Sequence, residues 1–402
     1  MKRASIGLTI ALALAVGVLA AGCGGGGNKA ETGTTTAGGG LQAGTIKVGY
    51  GNNLTGFLAV HDHIISDGAK FRVKEINDKG GIAGKVKIDL TIEDTKTDPA
   101  VSVQAAKDLI QKKVDVLVLP CNTDFQVAMA AVAQRKSQFT LSPCNADPTL
   151  ADRYSVYWPV GMAGNAQLAQ LADYAKSKGY KSAYILDAPD FLYVHLMTKY
   201  FKKAAAARGI QIVGTDTIKV GDNNFSSQVT KIKDASPKPD VIMTGLFTPF
   251  VDALAKQLRG AGVTTPIIGT DGMDTHLNLT AGGKAIERAA FSTFGFPTGG
   301  SPLDKFYRAL KASTGSRPDG SYAALGAATI EVLADAVEKA GSTDPKKIQQ
   351  ALSGGLSADT TLGKITYTAG NKNPTDPVAI VTIENGQFKL VKLGVPADVP
   401  AP

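Results

Sequence analysis

Reactive residues are scarce in this chain. Its 402 residues include three cysteines and four histidines. There is no G-x-S-x-G elbow, no H-E-x-x-H pair and no G-x-x-x-x-G-K-[ST] loop. A nucleophile elbow, a zincin centre and a phosphate-cradling P-loop are therefore excluded. The deficit favours binding over catalysis: no enzymatic activity, cofactor or metal is expected. His61 and His63 flank Asp62 and could suggest a metal pair, but no third ligand lies within sequence reach, so they read as surface or cleft-rim residues. Charge is sparse too. Asp, Glu, Lys and Arg make up 19% of the chain, and the formal charge of +8 comes from scattered basic residues. That pattern serves solubility, with some bias toward anionic surfaces, and is not a nucleic-acid footprint. The apolar run at residues 6–19 is too short to span a bilayer comfortably.

That run reads as an address. Lys2-Arg3 precedes it, and Leu19-Ala20-Ala21-Gly22-Cys23 follows, with small residues before a cleavage point as in a secretory signal. A cysteine directly after Ala-Gly resembles the bacterial lipobox, whose new N-terminal Cys is lipidated; Ala20 stands where Leu is commoner. The expectation is a signal peptide over 1–22, lipidation at Cys23 and a tether over 23–44. Residues 24–44 have almost no apolar side chains to bury. An ordinary secreted protein with an incidental cysteine is the alternative. Either way the body faces an oxidising compartment, where Cys121 and Cys144 form an even pair suited to a bridge. Two buried thiols remain the other reading.

Hydrophobic residues make up 44% of the chain, enough for globular cores, and the length suggests two or three domains at about 150 residues each. From residue 45, alternating strands and amphipathic helices read β-α-β-α-β-α-β, a parallel sheet with helices on its faces. Ile65, Ala69, Val73 and Ile76 fall at helical spacing. Residues 114–119 are nearly all apolar, as in a strand covered on both sides. A second such unit follows, and Asp240-Val241-Ile242-Met243-Thr244 echoes Asp115-Val116-Leu117-Val118-Leu119. The fold class is α/β, with two doubly wound parallel-sheet lobes. Ligands of such sheets bind outside the carboxyl ends of the strands. Two facing lobes would thus set loops 52–57, 121–124 and 144–147 against loops 187–193, 246–249 and 270–274.

Two apolar runs end alike, in Leu119-Pro120-Cys121-Asn122 and Ser142-Pro143-Cys144-Asn145, which suggests neighbouring strand ends facing one site. Strands about 4.8 Å apart suit a Cys121–Cys144 bridge, and closing a loop of about 22 residues is worth roughly 3 kcal/mol. Asn122, Thr123 and Asp124 precede a helix whose free N–H groups, with the Thr123 hydroxyl, could hold a carboxylate; Thr123 or Asp124 could equally just cap it. Asp271 could accept from a ligand ammonium or simply form the Thr270-Asp271-Gly272 turn. Phe57, Trp158, Phe191 and Phe247, at predicted loops or strand ends, could line an apolar pocket or pack in a core.

Several segments, in order, resemble one family. These are Ile46-Lys47-Val48-Gly49 with Leu54-Thr55-Gly56, the run from Lys74 to Gly84 (KEINDKGGIAG), and Asp94 with Asp98-Pro99-Ala100. Ser142-Pro143, the run DNNFSS from Asp222, Gly269-Thr270-Asp271-Gly272, Tyr322-Ala323-Ala324 and Gly341-Ser342-Thr343-Asp344-Pro345 complete the set. Together they resemble the leucine/isoleucine/valine-type extracellular solute-binding proteins of ABC importers, with the type I periplasmic-binding fold. The resemblance implies three hinge crossings, near Pro159, Phe296 and Leu362, with lobe 1 at 45–159 and 297–361 and lobe 2 at 160–296 and 362–395. It implies a monomer that closes on a small-molecule solute and delivers it to a membrane permease with cytoplasmic ATPases. A ligand-sensing subunit for a membrane receptor is the alternative. Asp271 matches an acidic position that meets a ligand amine. Asn145-Ala146 stands where amino-acid binders often have Ala-Thr, and Phe191-Leu192 where Tyr-Gly is common. An amino acid or a related amide, amine or small carboxylate is the expected ligand class.

Overall fold

The computed structural model describes residues 40–402. The expected leader, the lipidation at Cys23 and most of the expected tether lie outside the described residues. The body begins slightly before the expected boundary, because Leu41, the one large apolar residue of that stretch, is buried in the first core.

The first lobe runs β1 (Gly44–Asn52), α1 (Ala59–Asp78), β2 (Val86–Asp94), α2 (Pro99–Gln111), β3 (Val116–Val118), α3 (Thr123–Arg135), β4 (Thr140–Ser142), α4 (Leu150–Arg153) and β5 (Tyr157–Pro159). Its sheet is parallel, in the order β2-β1-β3-β4-β5. The apolar run at β3 serves two cores through the two-residue period of a strand. Val116 and Val118 pack with Ile65 and Ala69 of α1, while Leu117 and Leu119 pack with Leu109 of α2 and Met129 of α3. Asp98 caps α2, accepting from the Ala100 and Val101 amides at 2.7 and 2.9 Å, with Pro99 in the first turn.

The chain then crosses to the second lobe: α5 (Gly164–Ser177), β6 (Ser182–Asp187), α6 (Leu192–Ala207), β7 (Gln211–Thr217), α7 (Ser226–Asp234), β8 (Val241–Thr244), α8 (Phe250–Gly260), β9 (Ile267–Gly269), α9 (His276–Gly282) and β10 (Ala290–Thr293). The parallel order β7-β6-β8-β9-β10 repeats that of the first lobe strand for strand. The sequence echo has a structural counterpart. Asp115, just before the third strand of lobe 1, accepts from the Lys47 amide on the first strand (2.7 Å), and Asp240 does the same for the Lys181 and Ser182 amides (2.8 and 3.0 Å).

A second crossing leads back to α10 (Pro302–Thr314), α11 (Tyr322–Ala340), α12 (Pro345–Ser353), β11 (Leu356–Thr360) and β12 (Gly363–Tyr367). Strands from Leu362 onward were expected to join lobe 2. Instead β11 and β12 form their own two-stranded sheet, whose inward residues Leu356, Ala358, Ile365 and Tyr367 are buried in the lobe 1 core. Only β13 (Val378–Glu384) and β14 (Gln387–Gly394) extend the second sheet, β13 antiparallel to β10 and β14 antiparallel to β13. The third crossing is thus residues 368–377.

α1 and α11 touch backbone to backbone. A Cβ on Gly68 would sit 1.8 Å from the Ala323 carbonyl oxygen, and one on Gly326 would sit 1.9 Å from that of Ile65. The absence of side chains at these two points brings the first turn of α11 against residues 65–69 of α1, with Tyr322 of that turn reaching His61 in the site.

Candidate functional site

The carboxyl ends of both sheets face one tight cavity of about 40 Å³. Lobe 1 contributes Leu58, His61 and Asp62 around the start of α1, Cys121 and Asn122 after β3, and Cys144, Asn145 and Ala146 after β4. Gln167, Tyr193, Phe247, Asp271 and Gly272 come from lobe 2, Met162 and Phe294 from the crossings, and Tyr322 from the first turn of α11. No Lys or Arg is among these residues.

Cys121 and Cys144 are joined by a disulfide with Cα atoms 4.9 Å apart, so the ends of β3 and β4 are stapled together. The Gln126 amide reinforces the staple, donating to the Cys121 carbonyl and to Ser142 Oγ, both at 2.7 Å. Asn122 caps α3, its Oδ1 accepting from the Asp124 amide at 3.0 Å. Neither Thr123 nor Asp124 is the cap. Thr123 is fully buried behind the wall, its hydroxyl without a partner among the described residues, and it does not line the cavity. Asp124 reaches into the other lobe, where it accepts from the Leu192 and Tyr193 amides at the start of α6 (2.9 and 3.2 Å). Asn145 donates to Asn373 Oδ1 at 3.1 Å, so its amide nitrogen is turned to the third crossing.

Asp271 is the hub of the lobe 2 wall. Its carboxylate accepts from Gln167 Nε2 (2.6 Å), Tyr193 OH (2.9 Å) and Tyr322 OH (3.1 Å). Burial pushes this acid up against the opposing pull of those three donors. Tyr193 lies two residues past Phe191, so a tyrosine hydroxyl is present although the Tyr-Gly of the resembled family is not.

His61 and Asp62 are not rim residues. Both are buried and line the cavity, whereas His63 is half exposed and pairs with Asp67 at 3.0 Å. The two histidines therefore face different surroundings and hold no common site. Burial lowers His61 to about 4 and raises Asp62 to about 7, the latter against a 2.5 Å hydrogen bond from Asn53 Nδ2. The His61 ring meets Tyr322 edge-on at 5.2 Å.

Of the aromatics expected in the pocket, Phe247 lines it. Phe57 and Phe191 lie beside Phe247, with ring centroids 6.3 and 5.8 Å away and 6.2 Å from each other, one ring from lobe 1 and two from lobe 2. Trp158 is buried at the hinge against Tyr367.

Comparison with known proteins agrees with this geometry. The sequence profile of a family described as Periplasmic binding protein matches residues 45–387. The chain belongs to that family. Among its relatives, the Leu/Ile/Val-binding protein BraC3 of Rhizobium johnstonii is 29% identical over 324 residues, covering 80% of this chain and 87% of the relative. Of solved structures, a leucine binding protein of Thermotoga maritima superimposes with a TM-score of 0.80 at 24% identity, covering 87% of this chain and 99% of that one. A solute binding protein of an ABC transporter from R. palustris, in complex with benzoate, gives 0.76 at 20% identity, covering 89% and 98%. As a periplasmic binding protein, the chain has the two α/β lobes and interlobe cavity of a type I fold. Within that frame the lobe 1 wall is built from a disulfide, two asparagines and the pair His61-Asp62.

Proposed function

We propose that this periplasmic binding protein captures a small solute bearing a protonated amine, by closing its lobes around it, outside the cytoplasm. It then delivers the solute to an ABC permease, with the body held at the membrane through lipidated Cys23. The observation that carries the reading is the buried Asp271 carboxylate in a cavity lined by no Lys or Arg. A ligand that is only an anion would add a negative charge to a site that already holds two acids, a costly arrangement in low dielectric. An ammonium is favoured there. Relatives named for leucine, isoleucine and valine support an amino acid or a close amine. A ligand carboxylate or amide would lie toward Asn122, Asn145 and Ala146, near the start of α3, with Phe247 against the apolar part and Phe57 and Phe191 closing the mouth.

The test is a thermal-shift screen of amino acids, amides, amines and aromatic acids, followed by calorimetry, since a ligand at 100 times its Kd adds about 2.7 kcal/mol. Asp271→Asn, which keeps the shape, and Asp271→Ala are expected to weaken amine binding by roughly 1.5–3 kcal/mol, the range for charged hydrogen bonds. Unchanged affinity in both variants, or stabilisation by aromatic acids alone, would remove the reading.

A further inference from the structure

The cavity holds a second acid that Asp271 does not explain. Asp62 stands on the opposite wall, at the start of α1. One of its oxygens accepts from Asn53 Nδ2, and Asn53 is itself fixed by Thr95 Oγ1 at 2.5 Å. The other oxygen accepts no hydrogen bond from the described residues. Its neighbour His61 is buried and lines the same cavity; the Gly272 backbone acts on its ring, and its Nε2 has no hydrogen-bond partner among the described residues. Burial keeps that ring neutral at pH 7, so an imidazole nitrogen not carrying hydrogen is an acceptor. Lobe 1 therefore offers two adjacent acceptors that take no hydrogen bond from the described residues, one Asp62 oxygen open to the cavity and the buried His61 Nε2. Most donors lining the cavity are engaged elsewhere: Gln167, Tyr193 and Tyr322 all serve Asp271, and the Asn145 amide serves Asn373, while the Asn122 amide nitrogen donates to none of the described residues. Asp271, with three protein donors, has less accepting capacity left than Asp62 with one. Buried acceptors left unmet are costly, so a fitting ligand brings donors to both walls.

We propose that the cleft selects a compact solute with two positively charged nitrogen groups, a diamine or a diamino acid, one group on Asp271 and the other on Asp62 and His61. This rests on the amine-binding reading above and narrows it, making Asp62 the residue that separates dications from monoamines.

Calorimetry on the purified protein at pH 8 tests it with matched probes: 1,4-diaminobutane against butylamine, and ornithine against norvaline. Each two-nitrogen probe is expected to bind at least tenfold more tightly than its one-nitrogen partner, and Asp62→Asn is expected to bring that ratio close to one. The first pair reports the diamine, the second the diamino acid. Equal affinities within both pairs, or a ratio that survives in a folded Asp62→Asn protein, overturns the proposal while leaving the amine reading standing. If no amine of either kind binds, both fall. Should Asp62→Asn not fold, the wild-type ratios still decide.

Discussion

Asp62 shows what a single residue costs and what it does. Burial raises its carboxyl from 3.8 to about 7. An acid with a raised folded value favours folding most when protonated, so this contribution is complete below the ordinary value and is lost as pH rises through about 7. Near pH 8 the charged side chain is a net burden on the ligand-free fold, on the order of a few kcal/mol. Asp62→Asn keeps the size and can still accept from Asn53. It is expected to raise the midpoint of unfolding, with a gain that grows from pH 4 to pH 7 and then levels. Melting curves at pH 4, 5.5 and 8 check this, and an unchanged midpoint at pH 8 would show that the acid is not buried as described. A neutral amide would thus make the sturdier protein, which is the expected mark of a group kept for its ligand. Asp271 was legible in the sequence because it follows a strand at the carboxyl end of a parallel sheet. Asp62 was not, because a His-Asp-His triplet draws attention as a metal pair. The signal was nonetheless present: extending the Ile65, Ala69 and Val73 stripe backward by three, four and seven residues reaches Asp62, His61 and Leu58, all of which line the cavity.

At the scale of elements, the crossing of α1 and α11 positions His61 against Tyr322. Two glycines make it possible. Gly68→Ala would drive a methyl group into the Ala323 carbonyl, and backbone cannot rotate away as a side chain can. The expected cost is at least about 1–3 kcal/mol, as for overpacked cores, together with weaker ligand binding because the helices must part at the site. Gly260→Ala, at the end of α8 where nothing lies within 4 Å, is the control and should be neutral or slightly stabilising. Denaturant titration of both variants separates crowding from a general dislike of alanine. The ends of β3 and β4 are governed differently, by the disulfide. Replacing Cys121 and Cys144 together by Ala should cost roughly 3 kcal/mol for a loop of this length and loosen the Asn122 and Asn145 wall, so stability and affinity should fall together, measured by melting and calorimetry. The repeated Pro-Cys-Asn ends made this wall readable from the sequence. The glycine contact was not readable, since a lone glycine inside a helical pattern does not reveal which helix it faces.

At the scale of the molecule, two copies of one lobe face each other, and acids of lobe 1 bind helix starts of lobe 2. The duplication could be read from the alternation of strands and helices and from the Asp-Val echo. The third crossing could not, because β11 and β12 alternate just as the later β14 does, and only packing shows which core takes them. The interlobe contacts were invisible as well, since they join residues 43 to 69 positions apart. Asp124 accepts from the amides of Leu192 and Tyr193, and Asp319 from Thr275 Oγ1, the His276 amide and His276 Nδ1 at 2.5, 2.6 and 2.7 Å. Each places a carboxylate at a helix N-terminus, where free N–H groups and the dipole favour it. Asp124→Ala and Asp319→Ala are expected to favour the open arrangement, raising the rate of ligand release and the radius of gyration of the ligand-free protein in solution scattering. The Asp319 contact also sets a pH window. Its hydrogen bond raises His276, with Asp274 adding to the effect and Arg317 opposing it; Asp319 is lowered because its donors outweigh its own burial. The histidine contribution to closure is complete below its ordinary value of 6.5 and is lost as pH rises through the raised one. The aspartate contribution is complete above 3.8 and is lost as pH falls through the lowered one. Closure through this contact is therefore strongest between about pH 4 and 6.5. Above that window the Thr275 hydroxyl and the His276 amide still hold Asp319, so the contact weakens without breaking. Stopped-flow release rates across pH 4 to 9 should rise on the alkaline side in the wild type, and His276→Gln should flatten that rise. A rise that persists unchanged in His276→Gln would assign the pH response to the acids of the cavity.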